Sequence, residues 1–238
     1  ERRSMAIYVT SDAHGHVRAL DEALSKISLA SDDTLYVLGD MIDRGPDPVG
    51  VIKLVRSLPN ARVLKGNHEQ IMLDAIIGQD PLDAETWDIN GGWTTRQQLN
   101  DMEFEAYEEL VRWMATLPLY AVVETDERPY LLVHAGIQTE AARAFLLEHG
   151  VDCADGTGAV DVDRELLKQM LAVQSSDDLL WIRHGYWDAS TGLLSAEGKG
   201  PVVVSGHTPT VSLGRYCEVG GLAGLDEESG RGQIVRPG

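Results

Sequence analysis

Five short segments of the sequence place metal-binding side chains directly after apolar runs that are typical of β-strands. The segments are Asp12-Ala13-His14, Gly39-Asp40-Met41-Ile42-Asp43-Arg44-Gly45, Gly66-Asn67-His68-Glu69, the single residue His134, and Gly206-His207-Thr208. In α/β sheets the carboxyl ends of the strands form the usual ligand crevice, so we expect these side chains at one rim. Imidazole, carboxylate and amide donors together suit one or two divalent cations.

Each segment alone also has an ordinary structural explanation. An Asp in a turn, an Asn that caps a helix and a lone histidine at a strand end are all common without a ligand. The segment from Gly39 to Gly45 is more specific, because two carboxylates flank an arginine in a glycine-bounded turn. All five segments in this order, each after a strand, favour a functional site over five coincidences.

The elements that must position these side chains follow from the hydrophobic pattern. Strands are predicted at residues 6–10, 34–38, 61–64, 119–123, 130–133 and 201–204, with a weak last strand at 233–235. Helical spacing follows each of the first three strands and returns near residues 166–171, while residues 83–118 are expected to form a helical insertion. Apolar strands that alternate with helices indicate an α/β (α+β) fold with a buried, partly parallel sheet.

Length and composition restrict the class of protein. The chain has 238 residues, 43% of them hydrophobic, and a formal net charge of -18. We therefore expect one globular domain over residues 1–238, no nucleic-acid partner and no membrane association. Two cysteines, Cys153 and Cys217, favour a reduced cytoplasmic protein. Residues 1–4, before Met5, are interpreted as a cloning remnant, and the tail from Gly220 is expected to be poorly ordered.

The five segments together resemble the metallophosphoesterase signature. Within it they are most similar to PPP-family serine/threonine protein phosphatases of the compact bacterial and bacteriophage type. Asn90-Gly91-Gly92-Trp93 and Leu180-Trp181-Ile182-Arg183 are similar to further segments of that branch, and the resemblance covers roughly residues 5–215. It implies a metallophosphoesterase fold, a central mixed β-sandwich flanked by helices, with a helical cap-like insertion at about 83–118.

The resemblance also implies a role for each site residue. Two divalent ions are expected, Mn²⁺ first, with Fe or Zn²⁺ as alternatives. Their ligands would be Asp12, His14, Asp40, Asn67, His134 and His207. His68 would act as the general acid and Asp43 would orient it, which makes these two the catalytic pair. Arg44 and Arg183 would hold the phosphate oxygens.

The activity implied by the resemblance is that of a metal-dependent phosphoprotein phosphatase. A hydroxide shared by the two metals would attack phosphoserine or phosphothreonine in line, and phosphotyrosine and aryl phosphates are further expected substrates. The partner would be a phosphorylated protein or peptide.

Two alternatives remain open from the sequence. The first is a diadenosine tetraphosphate pyrophosphohydrolase with the same site, and the second is a non-catalytic scaffold on the same fold. Asp43 favours the phosphatase, because those hydrolases tend to have a small residue there. The scaffold is disfavoured because it would not need the general acid His68.

Overall fold

The computed structural model describes residues 5–78, 80–154, 157–188, 190–209 and 212–213. The chain divides into two compact units, with the boundary between Pro118 and Leu119. Each unit contains one three-stranded sheet and its own hydrophobic core. The single domain expected over residues 1–238 stays a prediction.

The first unit begins with three repeats of strand and helix. The strands β1 (Ile7–Thr10), β2 (Thr34–Val37) and β3 (Ala61–Val63) pair in parallel, in the order β1-β2-β3. The helices α1 (Val17–Ile27), α2 (Pro48–Ser57) and α3 (Asn67–Ile77) follow them in turn. Because each crossover runs through a helix, all three strands point the same way and their carboxyl ends share one edge.

The predicted helical insertion consists of α4 (Pro81–Ile89), α5 (Trp93–Asn100) and α6 (Phe104–Ala115). Asp80 caps α4 by accepting a hydrogen bond from the Leu82 amide, and Pro81 stands in its first turn. Helix α5 packs on α2, while α4 and α6 pack on α3. The apolar face of α6 joins the first core through Leu110 and Met114. The insertion is therefore integral to this unit's core.

The described residues of the second unit form a mixed sheet and three α-helices. Strand β4 (Tyr120–Glu124) is antiparallel to β5 (Pro129–Val133), which pairs in parallel with β6 (Val202–Val204). The helices are α7 (Thr139–Glu148), α8 (Arg164–Ala172) and α9 (Ser176–Trp181). Asp163 and Ser175 cap α8 and α9 by accepting hydrogen bonds from first-turn amides.

The strands predicted between residues 6 and 204 are confirmed to within about a residue at each end. Helices α7 and α9 were not predicted. The weak strand at 233–235, Cys217, the tail from Gly220 and residues 1–4 lie outside the described residues. Cys153 is a buried free thiol. In the described part of the chain no helix combines the length and apolar character needed to cross a bilayer.

Candidate metal centre

Three loops of the first unit carry most of the predicted site residues. Asp12 and His14 follow β1, Asp40 to Arg44 follow β2, and Asn67 and His68 open α3 after β3. Backbone pairing continues past the strand ends, since Asp12 N donates to Gly39 O at 3.1 Å and His14 N donates to Asp40 O at 2.9 Å. The first two loops therefore lie side by side.

Glycines allow the loops to approach so closely. A Cβ on Gly39 would lie 2.2 Å from the Gly66 amide nitrogen, and Gly39 also has a φ of +93°. A Cβ on Gly45 would lie 2.0 Å from the His14 carbonyl oxygen. These contacts leave no room for a side chain, which explains the glycines that bound the motif.

Backbone strain is concentrated at the candidate site. Among the described non-glycine residues with positive φ are Asp12 (57°), His14 (41°), Asp40 (53°), Asp43 (68°), Arg44 (66°) and His207 (60°). Such conformations cost free energy and persist where the surrounding structure enforces them, often at ligand sites. For the residues of the first unit, the loop pairing and the glycine contacts provide that enforcement.

His14 and Asp40 present a ligand pair. His14 Nδ1 donates to the Ile42 carbonyl at 2.9 Å, which leaves Nε2 with its lone pair. Nε2 lies 3.5 Å from Asp40 Oδ2. Two donors that each bind one ion at about 2.0–2.2 Å lie roughly 3–3.6 Å apart, so the pair fits a single Mn²⁺ or Zn²⁺.

The protonation equilibria of these two groups are shifted in the ion-free protein. Burial lowers the pKa of His14 to about 4, and the Arg44 charge acts in the same direction. Burial raises the pKa of Asp40 well above its usual value, and the carboxylates of Glu69 and Asp12 add to the rise. A neutral imidazole beside crowded carboxylates is an arrangement that a divalent cation would stabilise.

The remaining predicted ligands of this unit lie in the same loops. His14, Asp40 and His68 each offer one atom to a group whose members all lie within 4.8 Å of one another. Asp12 raises the pKa of both His14 and Asp40 by its charge, which places it near both. Asn67 is buried at the first position of α3. The donor set therefore fits divalent metal binding.

Arg44 occupies an unexpected position. Its Nη1 donates to His14 Nε2 at 2.9 Å and its Nη2 donates to His68 Nε2 at 2.8 Å. Because a guanidinium has no acceptor, both ring nitrogens accept. His68 Nδ1 then donates to Asp43 Oδ2 at 2.7 Å, and both of these residues are fully buried. The predicted His68–Asp43 pair is thus in contact, with Arg44 on the opposite ring nitrogen.

Glu69 organises the backbone around Asp40. Its Oε2 accepts from the amides of Asp40 at 2.8 Å and Gly66 at 2.9 Å, and its Oε1 accepts from Met41 at 2.8 Å. The side chain is fully buried, and burial raises the pKa of Glu69. These three contacts show that Glu69 supports the loops around Asp40.

The second unit holds its two predicted ligands together. His134, at the end of β5, is fully buried, and its carbonyl accepts from the Gly206 amide at 2.8 Å. The rings of His134 and His207 lie 5.1 Å apart between centroids. Trp187 Nε1 donates to Thr208 Oγ1 at 3.2 Å, which braces the His207 loop. Arg183 follows α9, and its carbonyl accepts from the Trp187 amide at 3.1 Å.

A family model described as calcineurin-like phosphoesterase matches residues 5–229. The chain belongs to the calcineurin-like phosphoesterase family. The predicted metallophosphoesterase fold is thereby confirmed, with two small sheets and mixed α/β content. This family uses a dinuclear metal site, and this calcineurin-like phosphoesterase has candidate ligands for one.

Two curated proteins that are similar to this chain share one name. A "Bis(5'-nucleosyl)-tetraphosphatase, symmetrical" of Erwinia tasmaniensis is 32% identical over 136 residues, which is 56% of this chain and 45% of that protein. A protein of the same name from Salmonella paratyphi C is 30% identical over 158 residues, 66% of this chain and 50% of that protein. The chain spans about half the length of these curated relatives.

Two solved structures show partial likeness. A protein serine/threonine phosphatase from Saccharomyces cerevisiae has a TM-score of 0.43 and 20% identity, over 57% of this chain and 39% of that one. A metallophosphoesterase from Sphaerobacter thermophilus has a TM-score of 0.40 and 26% identity, over 58% and 53%. Scores of this size do not bear on the substrate.

The prediction of a phosphoserine/phosphothreonine protein phosphatase is wrong, because the curated relatives are nucleotide tetraphosphatases. The prediction rests on the resemblance to PPP-family phosphatases, and Asp43 is the position that favours it over the tetraphosphatase alternative. Asp43 is fully buried and its Oδ2 accepts from His68 Nδ1, the side chain for which the sequence predicts a general-acid role. A proton donor can assist the departure of an alkoxide or of a diphosphate. Asp43 therefore does not distinguish a protein phosphatase from a tetraphosphatase.

Proposed function

We propose that this calcineurin-like phosphoesterase hydrolyses dinucleoside tetraphosphates at the central phosphoanhydride. One water is consumed, the bond between the bridging oxygen and one inner phosphorus breaks, and two nucleoside diphosphates leave. The observation that carries the proposal is the likeness to symmetrical bis(5'-nucleosyl)-tetraphosphatases at 30–32% identity. The donor geometry around His14 and Asp40 supports it, since phosphoanhydride hydrolysis suits a dinuclear centre.

The proposed ligands are those that the sequence suggested. They are Asp12, His14, Asp40, Asn67, His134 and His207. We propose Mn²⁺ as the ion, with Fe or Zn²⁺ as alternatives. When bound, the ions would polarise the phosphoryl oxygens and lower the pKa of a water molecule.

The side chains contribute binding and proton transfer. The fork of Arg44 can donate to phosphate oxygens in place of the two imidazoles, and Arg183 is proposed as a second phosphate ligand. Once Arg44 has turned to the phosphate, His68 Nε2 can carry a proton to the departing diphosphate oxygen. A diphosphate leaves more readily than an alkoxide, so we expect this proton to contribute about 10²-fold, the low end of general-acid catalysis.

The experiment compares diadenosine tetraphosphate with a phosphoserine peptide, using metal-stripped protein with and without Mn²⁺. We expect Mn²⁺-dependent cleavage of the nucleotide, with kcat/KM about 10²-fold or more above that for the peptide. Asp12→Asn and His207→Ala should reduce both bound metal and turnover. Faster release of phosphate from the peptide would contradict the proposal, and unchanged metal content in either variant would remove that residue from the ligand set.

A further inference from the structure

We infer that Thr95 and Trp87, on the helical insertion, are positioning residues that act through Asp43 on His68. This inference rests on the catalytic role proposed for His68. Thr95 lies in the first turn of α5 and Trp87 in α4, and both are buried. They lie 52 and 44 residues from Asp43 along the chain.

The hydrogen bonds of the Asp43 carboxylate show the arrangement. Oδ1 accepts from Thr95 Oγ1 at 2.6 Å and from Trp87 Nε1 at 3.1 Å. Oδ2 accepts from His68 Nδ1 at 2.7 Å and from Trp87 Nε1 at 3.2 Å. A fully buried carboxylate is costly unless donors surround it, and here the insertion supplies two of the three donor groups.

Thr95 also fixes the backbone of Asp43. The Asp43 amide donates to Thr95 Oγ1 at 2.9 Å, so a single hydroxyl accepts from the backbone and donates to the side chain of the same residue. Asp43 has a φ of +68°, a conformation that needs such support in a non-glycine residue. A hydroxyl makes both contacts through one atom, because its oxygen is both donor and acceptor.

Neutral hydrogen-bond donors suit a carboxylate that must orient a histidine. The Thr95 hydroxyl and the Trp87 indole satisfy the carboxylate without bringing a positive charge to it. The negative charge of Asp43 therefore remains directed at the Nδ1–H of His68, which fixes the ring orientation and tautomer. The opposite nitrogen, Nε2, is the one that faces Arg44 and the proposed substrate phosphate.

Gly91 and Gly92, in the turn between α4 and α5, support the positions of Trp87 and of the loop that carries Asp43. A Cβ on Gly92 would lie 2.2 Å from the Trp87 ring, so glycine lets the indole lie against this turn. The Gly91 carbonyl accepts from the Arg44 amide at 3.0 Å. The turn between α4 and α5 therefore joins Trp87 to the loop that carries Asp43 and Arg44, which gives the insertion a part in catalysis.

The first test compares Thr95→Val with Thr94→Val. Both changes replace a buried threonine in the same helical turn, but Thr94 Oγ1 has no hydrogen-bond partner among the described residues. In the metal-loaded enzyme we expect Thr95→Val to lower kcat by about 10–100-fold, with KM and bound metal unchanged. Thr95→Ser should restore activity, and Thr94→Val should behave as wild type. Equal loss in the two valine variants would overturn the inference.

The second test combines Thr95→Val with His68→Asn. If Thr95 acts through His68, the double variant should be no slower than His68→Asn alone, because residues that act as a unit are non-additive. Multiplication of the two losses would show a separate structural effect and would overturn the inference. Trp87→Phe, which removes the indole N–H together with part of the ring, provides the same comparison should the valine variant fold poorly.

The third readout needs no substrate and so separates this inference from the proposed reaction. The Nδ1–H of His68 should give a downfield proton NMR signal in the zinc-loaded protein, absent in His68→Asn. We expect Thr95→Val to shift that signal and Thr94→Val to leave it in place. A signal unmoved by Thr95→Val would overturn the inference, whereas a shifted signal without tetraphosphate turnover would overturn only the proposed function.

Discussion

Arg44 donates hydrogen bonds to the Nε2 atoms of two histidines in the first unit, His14 and His68. His14 Nε2 is a proposed metal ligand and His68 Nε2 is the proposed proton donor. The lone pair of His14 Nε2 can accept from Arg44 or bind a cation, but it cannot do both. Arg44 would therefore compete with a metal ion at one nitrogen and would hold phosphate in the proposed complex.

Replacement of Arg44 by Ala should separate these two effects. We expect Mn²⁺ affinity to rise by about tenfold, because a competing donor and a neighbouring positive charge are both removed. KM for the nucleotide should also rise by about tenfold, since a charged donor to phosphate is lost. Calorimetric titration of Mn²⁺ and steady-state kinetics measure the two quantities.

Arg44→Lys is the matched control, because it keeps the charge and loses the fork. We expect it to show a metal affinity near wild type and an intermediate KM. A metal affinity in Arg44→Ala equal to or below that of wild type would refute the competition, and an unchanged KM would refute the phosphate contact.

At the scale of residues, the sequence predicts candidate site side chains better than it predicts the hydrogen bonds between distant residues. Asp12, His14, Asp40 and His68 could be named because their spacing follows strand ends. The contacts of Asp43 with Trp87 and Thr95 depend on how distant helices pack, and local pattern carries no signal for them. Trp87 is buried beside a glycine pair, and the sequence does not indicate which group its indole N–H meets.

In the first unit, three short loops on one parallel sheet position the candidate site residues. Pairing beyond β1 and β2 aligns the first two loops, and Glu69 at the start of α3 ties the third loop to the second. Three backbone amides converge on this one carboxylate. We therefore expect the loops to depend on Glu69 for both stability and metal geometry.

The variant Glu69→Gln tests that dependence. Removing the buried charge relieves a desolvation cost, but the amide nitrogen of glutamine is a donor and would face at least one backbone N–H. Leaving a buried donor unsatisfied costs about 1–3 kcal/mol, so we expect the free energy of unfolding to fall by about that amount. Urea denaturation at pH 7 of the metal-free protein measures it.

Glu165 offers a control, because it is also a helix first-turn glutamate but is exposed, with its side chain 69% accessible. Glu165→Gln should change the unfolding free energy by less than about 0.5 kcal/mol. A Glu69→Gln variant as stable as the Glu165→Gln control would show that the loops do not depend on the carboxylate.

The sequence largely predicts which segments form strands and which form helices. It does not predict which of these segments pair or pack with one another. The short apolar runs at β2 and β5 are bounded by polar turns, which makes strands there easy to recognise. Helix α7 was missed because its cap is Gln138, outside the usual set of capping residues. Sheet order and register arise from long-range packing, and no local pattern showed that β5 pairs with β6.

At the scale of the whole molecule, the signature identifies the reaction centre more firmly than the substrate. Family membership follows from a match over residues 5–229, and the metal donors belong to that shared chemistry. A dinuclear centre can assist cleavage of a phosphoester or of a phosphoanhydride, so the five segments do not distinguish the two leaving groups. This is why the sequence pattern predicted a phosphoesterase and yet favoured the wrong substrate.

The reaction that we propose for the chain is cleavage of dinucleoside tetraphosphates at the middle anhydride. The most direct measurement is separation by ion exchange of the products formed from diadenosine tetraphosphate by the Mn²⁺-loaded protein, with Asp12→Asn as the inactive control. We predict ADP as the sole initial product, at two per substrate consumed. Equal amounts of AMP and ATP, or no cleavage by a protein that binds Mn²⁺, would contradict the account.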